Sequence, residues 1–370
     1  MHKVTSPARW TMVLALLVFV FTGCDSNEES TPPVDDVVVI GTQVEKDFLN
    51  TGQFGVSATP LSAEGRGIIS NDVKGEVTIS GPNSSALVAK SNGSINGTVK
   101  IERLNRVSGD PLAVVVDIDD SGSMGSNDPD DDRVTGAQAF VDEVSANASN
   151  WEIAMARYSG STPALNLNYT DMLLDFSNDV QALKDSAANV ESSGGTPTYE
   201  SLAELLIYSE SERPKSNHEK AIVLLSDGNP NSIALRDSVC NDANRKESPI
   251  YTIGLGPASD VSPASEQSQF AINEMRAISD CSGASYAGID PSDATASSEE
   301  IYRAIATAAS QGSIIFTIEI DPTALQNHFN PGDLLTGSIN LTAGGQSAGG
   351  DFSFTVPDPN ASLNYKYTGE

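Results

Sequence analysis

Leu112-Ala-Val-Val-Val-Asp-Ile118, with Asp119-Asp-Ser121-Gly-Ser123-Met124 directly after it, decides how the chain is read. The first run is apolar except for Asp117, which suits a strand buried on both faces in the middle of a parallel sheet. A loop of acids and hydroxyls at the carboxyl end of such a strand lies where open α/β sheets gather their ligands. Working outward, apolar strands alternate with amphipathic segments. Val134, Ala137, Phe140, Val141 and Val144 share one face of a helix over Val134 to Val144. Strands follow at Glu152 to Tyr158 and Met172 to Phe176, then helices from about Val180 to Val190 and from Tyr199 to Tyr208. Ala221 to Leu225 and Ile250 to Leu255 read as buried strands, with a helix near 232–244 between them. A helix over Phe270 to Ser279, a short strand over Ala284 to Ile289 and a last helix over Ser298 to Ser310 complete the series. The alternation predicts an α/β class with a doubly wound, mostly parallel sheet covered by helices on both faces.

The flanks have a different period. Residues 37–110 show no helical repeat, but Val77-Thr-Ile79 and Ser94 to Ile101 alternate between turns rich in Gly, Pro, Asn and Ser. After Gln311 the alternation returns in Ile314 to Ile320, Leu335 to Leu341 and Phe352 to Val356. These are β-modules of a sandwich type, over 37–110 and 312–370, on either side of an α/β segment over 111–311. The pattern admits two arrangements: the strand sets pair with each other, with the α/β segment inserted, or they form separate modules.

Three loops carry the chemistry. Asp119, Ser121 and Ser123 fit the spacing Asp-x-Ser-x-Ser, and Asp227 ends the strand Ile222-Val-Leu-Leu-Ser-Asp227. Ser193-Gly-Gly-Thr196-Pro-Thr198 lies between two helices. Two carboxylates with hydroxyls are hard oxygen donors, suited to Mg²⁺, Mn²⁺ or Ca²⁺ and not to Zn²⁺. A near-copy of the first spacing, Asp293, Thr295 and Ser297, follows no long buried strand and is discounted. Two further features read structurally. The run Asp128 to Asp132 suits an acidic helix N-terminus, and Thr198 suits a cap for the helix after it.

The ordered set Asp-Asp-Ser-Gly-Ser-Met, Gly-Gly-Thr-Pro-Thr and Leu-Leu-Ser-Asp-Gly resembles the von Willebrand factor type A domain and its metal-ion-dependent adhesion site, over about Leu112 to Gln311. Ile250-Tyr-Thr-Ile-Gly-Leu-Gly256 is similar to that family's fifth-strand segment. The resemblance implies that Ser121 and Ser123 bind a divalent cation directly, Mg²⁺ first with Ca²⁺ or Mn²⁺ as alternatives. It implies that Thr196 binds directly or through water, and that Asp119 and Asp227 act mainly through water. Neutral hydroxyls leave the dication short of negative charge, so the expected partner is a protein presenting an Asp or Glu carboxylate. The alternative is a scaffold in an envelope assembly, in which the metal only stabilises the domain.

Composition narrows the rest. The chain has 370 residues, with 50 Asp and Glu against 21 Lys and Arg, for a net charge of −29. Such a surface repels phosphates, so nucleic acid is not an expected partner. Three His and the absence of P-loop or His-Glu-x-x-His motifs point away from an enzyme; His218 and His328 both stand in polar, loop-like surroundings. Residues 1–23 contain no acid, carry Lys3 and Arg9, and have an apolar run from Trp10 to Thr22, as in an export signal. Phe21-Thr-Gly-Cys24 resembles a bacterial lipobox, which implies lipidation of Cys24, an acidic tether over 24–36 and placement in the cell envelope, at the outer membrane or cell surface. Cys240 and Cys281 remain as a disulfide candidate in an exported chain, with two buried thiols as the other reading.

Overall fold

The structure, a computed structural model, describes residues 31–44, 47–81, 86–91, 96–105, 111–159, 167–211, 213–259, 265–288 and 298–358. The export signal, Cys24 and the Asp293–Ser297 near-copy lie outside the described residues. In chain order the elements are β1 (Asp36–Val44), α1 (Phe48–Thr51), β2 (Gln53–Leu61), β3 (Lys74–Ser80), β4 (Leu87–Lys90) and β5 (Gly97–Asn105). Next come β6 (Leu112–Asp119), α2 (Met124–Asn127), α3 (Asp132–Asn147), β7 (Trp151–Tyr158), β8 (Thr170–Ser177), α4 (Val180–Ala187) and α5 (Thr198–Ser209). The series continues with β9 (Glu219–Ser226), α6 (Arg236–Arg245), β10 (Ile250–Gly254), α7 (Glu266–Ser282), β11 (Tyr286–Gly288) and α8 (Ser298–Gln311). It closes with β12 (Ser313–Ile320), α9 (Pro322–His328), β13 (Leu334–Ala343) and β14 (Gln346–Thr355).

One sheet has the order β11-β10-β9-β6-β7-β8. Its pairs are parallel except β7 with β8. Every residue of β6 is buried, because its two faces meet different helix layers. Val114, Val116 and Ile118 join a core with Phe140, Val141 and Val144 of α3 and with Tyr302 and Ile305 of α8. Val115 faces the other core, with Leu202 and Leu205 of α5 and Ile272 and Met275 of α7. The apolar run that names the fold is therefore a central strand, and its loop opens at the carboxyl ends of the parallel strands.

The second sheet has the order β1-β2-β12-β5-β4-β3-β13-β14. β12 hydrogen-bonds β2 on one side and β5 on the other, and β13 pairs with β3. Strands from both flanks thus build one continuous eight-stranded sheet. It curls so that its ends meet: Phe54 of β2 lies 5.9 and 5.5 Å, centroid to centroid, from Phe352 and Phe354 of β14. Phe48 packs edge-on against Phe54 and Phe354 at 5.7 and 5.4 Å. The two sheets touch through β1, where a Cβ on Gly41 would stand 2.9 Å from the Tyr286 carbonyl oxygen. Ile40, at the β-bulge of β1, is counted in the α/β core. Buried hydroxyls complete the seam: Ser57 and Ser285 are 2.8 Å apart, and Thr59 donates to the Gly312 carbonyl at 2.7 Å.

Several expectations need correction. The tether does not extend to residue 36, since Val34 is 1% exposed and its N–H reaches the Ala343 carbonyl at 3.2 Å. Val34 joins the core of the flanking sheet, which makes this stretch part of the fold. α1 interrupts the region read as purely β, and four residues are too few to show a helical period. The helix expected near 232–244 starts only at Arg236. Thr198 is not a cap: Pro197 occupies the N-cap, and the Thr198 hydroxyl donates to Tyr158 Oη at 3.3 Å. His218 is buried, with Nδ1 3.3 Å from Glu152 Oε1, and His328 ends α9.

Candidate metal centre

Asp119 ends β6 and Asp227 directly follows β9, its neighbour in the sheet, where Ile118 and Leu225 are in register. Both carboxylates are fully buried. Asp119 Oδ1 accepts the Ser121 N–H at 2.9 Å, and its Oδ2 accepts from Tyr158 Oη at 2.9 Å and from Ser226 Oγ at 2.6 Å. Asp227 Oδ2 accepts from Asn127 Nδ2 at 2.8 Å, and its Oδ1 from the Asn229 N–H at 3.3 Å. Burial, and then the charge of Asp227, push the Asp119 carboxyl up to about 7. Two dehydrated carboxylates side by side are costly unless a positive charge lies near them. Ser121 Oγ and Ser123 Oγ lie 3.1 Å apart at the same loop. The residues therefore fit a hard divalent cation. Among the described residues no cluster of three His, Cys, Asp or Glu side chains has metal-holding geometry, and the oxygens gathered here are mostly hydroxyl.

The third loop is tied to the first by its backbone. Gly122 donates to the Gly194 carbonyl at 3.1 Å, and Ser193 donates to the Asp120 carbonyl at 2.8 Å. Gly195 donates to Ser159 at 2.7 Å, and the Thr196 carbonyl accepts the Asn231 N–H at 2.8 Å. A Cβ on Gly195 would fall 2.6 Å from Asn231 Nδ2, so glycine permits the close approach. Thr196 is buried beside the two aspartates' loops, which brings all five expected residues to one end of the sheet.

Residues beyond the five expected also hold the loops. Asp120 is 1% exposed, and its Oδ1 accepts the N–H groups of Glu191 and Ser192 at 2.6 and 2.7 Å. Its Oδ2 meets Arg157 Nη1 at 3.1 Å, and Arg157 also grips Asp171. Arg133, 1% exposed, bonds Asp128 at 2.6 Å and Ser192 Oγ at 2.7 Å. Asp128, from the acidic run, accepts the N–H groups of Asp132 and Arg133 at the start of α3 at 2.7 and 3.2 Å. Burial holds the Tyr158 hydroxyl well above its usual range, so it stays a donor to Asp119. Position at a strand's carboxyl end was the available signal for Tyr158 and Ser226, while Asp120 and Arg157 act through loops that sequence spacing does not connect.

Cys240 of α6 and Cys281 of α7 are joined in a disulfide, with Cα atoms 5.4 Å apart. No helix among the described residues is long and apolar enough to cross a membrane.

The sequence profile of the von Willebrand factor type A domain matches residues 113–286. A search of curated proteins gives no match. Similar solved structures include a von Willebrand factor type A protein from Catenulispora acidiphila, at 12% identity and TM-score 0.40, covering 92% of this chain and 78% of that one. Manganese-loaded TRAP protein from Plasmodium vivax aligns at 14% identity and TM-score 0.41, covering 70% and 98%. An aerotolerance-related membrane protein from Bacteroides fragilis aligns at 15% identity and TM-score 0.40, covering 54% and 98%. Residues 113–286, just under half of the chain, are thus similar in sequence to the von Willebrand factor type A domain.

Proposed function

We propose that the protein is a lipid-anchored component of the cell envelope, at the outer membrane or cell surface, that holds a partner protein through a divalent cation. The observation that carries this reading is the pairing of buried Asp119 and Asp227 beside the Ser121 and Ser123 hydroxyls at the carboxyl end of the central strand. Ser121, Ser123 and Thr196 would hold the cation, with Asp119 and Asp227 behind them. When bound, a cation held mostly by neutral oxygens keeps an unmet demand for negative charge, which suits an Asp or Glu of the partner. The chain's own residues orient the site. Tyr158 and Ser226 fix one oxygen of Asp119, and Asn127 fixes one oxygen of Asp227. Mg²⁺ is the first candidate, with Ca²⁺ and Mn²⁺ suited by the same oxygens. The role is binding and not catalysis, with no nucleic acid among its partners; Cys24 would supply the lipid anchor.

Calorimetric titration of Mg²⁺ into the full chain in mild detergent, beside Asp119→Ala, tests the site. Saturable binding that is lost in Asp119→Ala is the expected result. Binding that is absent, or unchanged in the variant, overturns the metal bridge and leaves an envelope scaffold as the better reading.

A further inference from the structure

We propose that Asp120, outside the metal-holding set, is a positioning residue that pins the Glu191–Thr196 loop and thereby sets the affinity of the site for its cation. The inference rests on the metal reading above and deepens it. Three successive amides converge on this one residue: the N–H groups of Glu191 and Ser192 on its Oδ1 at 2.6 and 2.7 Å, and that of Ser193 on its carbonyl at 2.8 Å. The segment they belong to is strained, since Ser192 holds a left-handed backbone with φ 54°. Its side chain is gripped from the opposite flank by Arg133, itself anchored on Asp128. Two buried charged groups thus hold one loop between them. Downstream, Gly194 and Gly195 make their backbone bonds to Gly122 and Ser159, and Thr196 follows at the site.

A hydroxyl ligand such as Thr196 brings no charge of its own, so its contribution depends on being in place before the cation arrives. Partners that orient ligands in this way commonly change metal affinity by about 10–100-fold when removed. The two oxygens of Asp120 divide the work: Oδ1 takes the loop amides and Oδ2 takes Arg157. Asp120→Asn can keep the first contact and lose the charge, whereas Asp120→Ala loses both.

The test is Mg²⁺ calorimetry on the full chain and both variants, with hydrogen exchange of the Glu191 and Ser192 amides on the same samples. Asp120→Ala is expected to weaken Mg²⁺ binding about tenfold or more and to expose both amides, while Asp120→Asn stays within about threefold of the parent. A structural contribution alone would lower the melting temperature and leave the affinity unchanged. Asp120→Ser, polar but too short to reach both amides, replaces the alanine variant if that one does not melt cooperatively. Parent-like affinity in Asp120→Ala or Asp120→Ser overturns the proposal, and so does an Asp120→Asn variant as weak as alanine. A parent chain that takes up no Mg²⁺ removes the metal reading and the affinity claim with it. Amide protection in the parent, lost in the alanine variant, would then show that the clamp exists and that the metal reading is what failed.

Discussion

Asp117 and Asp119 stand two residues apart on one strand, so the pleat turns both to the same face of the sheet, but they meet different partners there. Asp119 meets Tyr158, Ser226 and the Ser121 amide, while Asp117 Oδ2 meets Ser201 at 2.9 Å and its Oδ1 has no hydrogen-bond partner. Burial pushes Asp117 up to about 8 from an ordinary value of 3.8. A carboxyl whose folded value is raised binds its proton more tightly when folded, so its contribution to stability is present at low pH. That contribution is lost as pH rises from about 4 towards 8. Asp117→Asn keeps the neutral shape and does not titrate. The variant is therefore expected to gain on the parent by an amount on the order of a few kcal/mol at pH 8, and to differ little at pH 4. Urea unfolding at the two pH values checks it; equal midpoints at pH 8 would show that Asp117 ionises without penalty. In sequence Asp117 was visible only as a break in an apolar run. Asp120 was visible as an extra acid beside the motif, but the amides it holds lie some seventy positions away, and no local pattern reports such a contact.

Elements of the α/β segment were legible because the central strands carry apolar runs and the helices carry an apolar face, patterns that survive in a single sequence. The disagreements fall where the local stretch is too short to show a period or its residue type suits two roles. Thr198 has the chemistry of a cap but serves Tyr158, and α1 is one turn wedged between β1 and β2. Two predictions belong at this scale. α3 and α8 cross where Gly136 leaves room for the Tyr302 ring, and a Cβ at that position would lie 1.7 Å from it. Gly136→Ala should lower stability by about 1–3 kcal/mol through overpacking, read as a shift in the urea midpoint; an unshifted midpoint would mean the helices can part freely. The Cys240–Cys281 bridge ties α6 to the end of α7, beside Ser282, whose Oγ accepts the N–H of Ile250 at the amino end of β10. That is the opposite end of the sheet from Asp119. Replacing both cysteines by serine should cost about 2–5 kcal/mol of stability and leave the Mg²⁺ titration unchanged. A weakened titration would show that the site feels strain across the whole sheet.

At the scale of the molecule, the chain builds most of one sheet, leaves it to make a complete α/β layer, and returns to finish what it left. Alternation in sequence revealed the strands on both flanks but could not say which pairs with which, because register between segments some two hundred residues apart has no local signature. The structure places β12 between β2 and β5 and β13 on β3, so the first five strands lack their central neighbour until the last ones arrive. Without β12, β2 and β5 would expose their hydrogen-bonding edges, and Val56, Phe54 and Val99 would lose Phe316 and Ile318 from their core. The α/β segment has its own two cores on either side of β6 and leans on the flanking sheet chiefly through β1 and the hydroxyl seam. Deleting residues 312–370 should therefore unfold the N-terminal strands and spare the inserted domain. Limited proteolysis is expected to cut the deleted chain readily within residues 37–105 while 112–288 stays protected, with Mg²⁺ binding retained. Protection of residues 37–105 in that truncated chain would mean the N-terminal strands form a module of their own, and the continuous sheet would have to be abandoned.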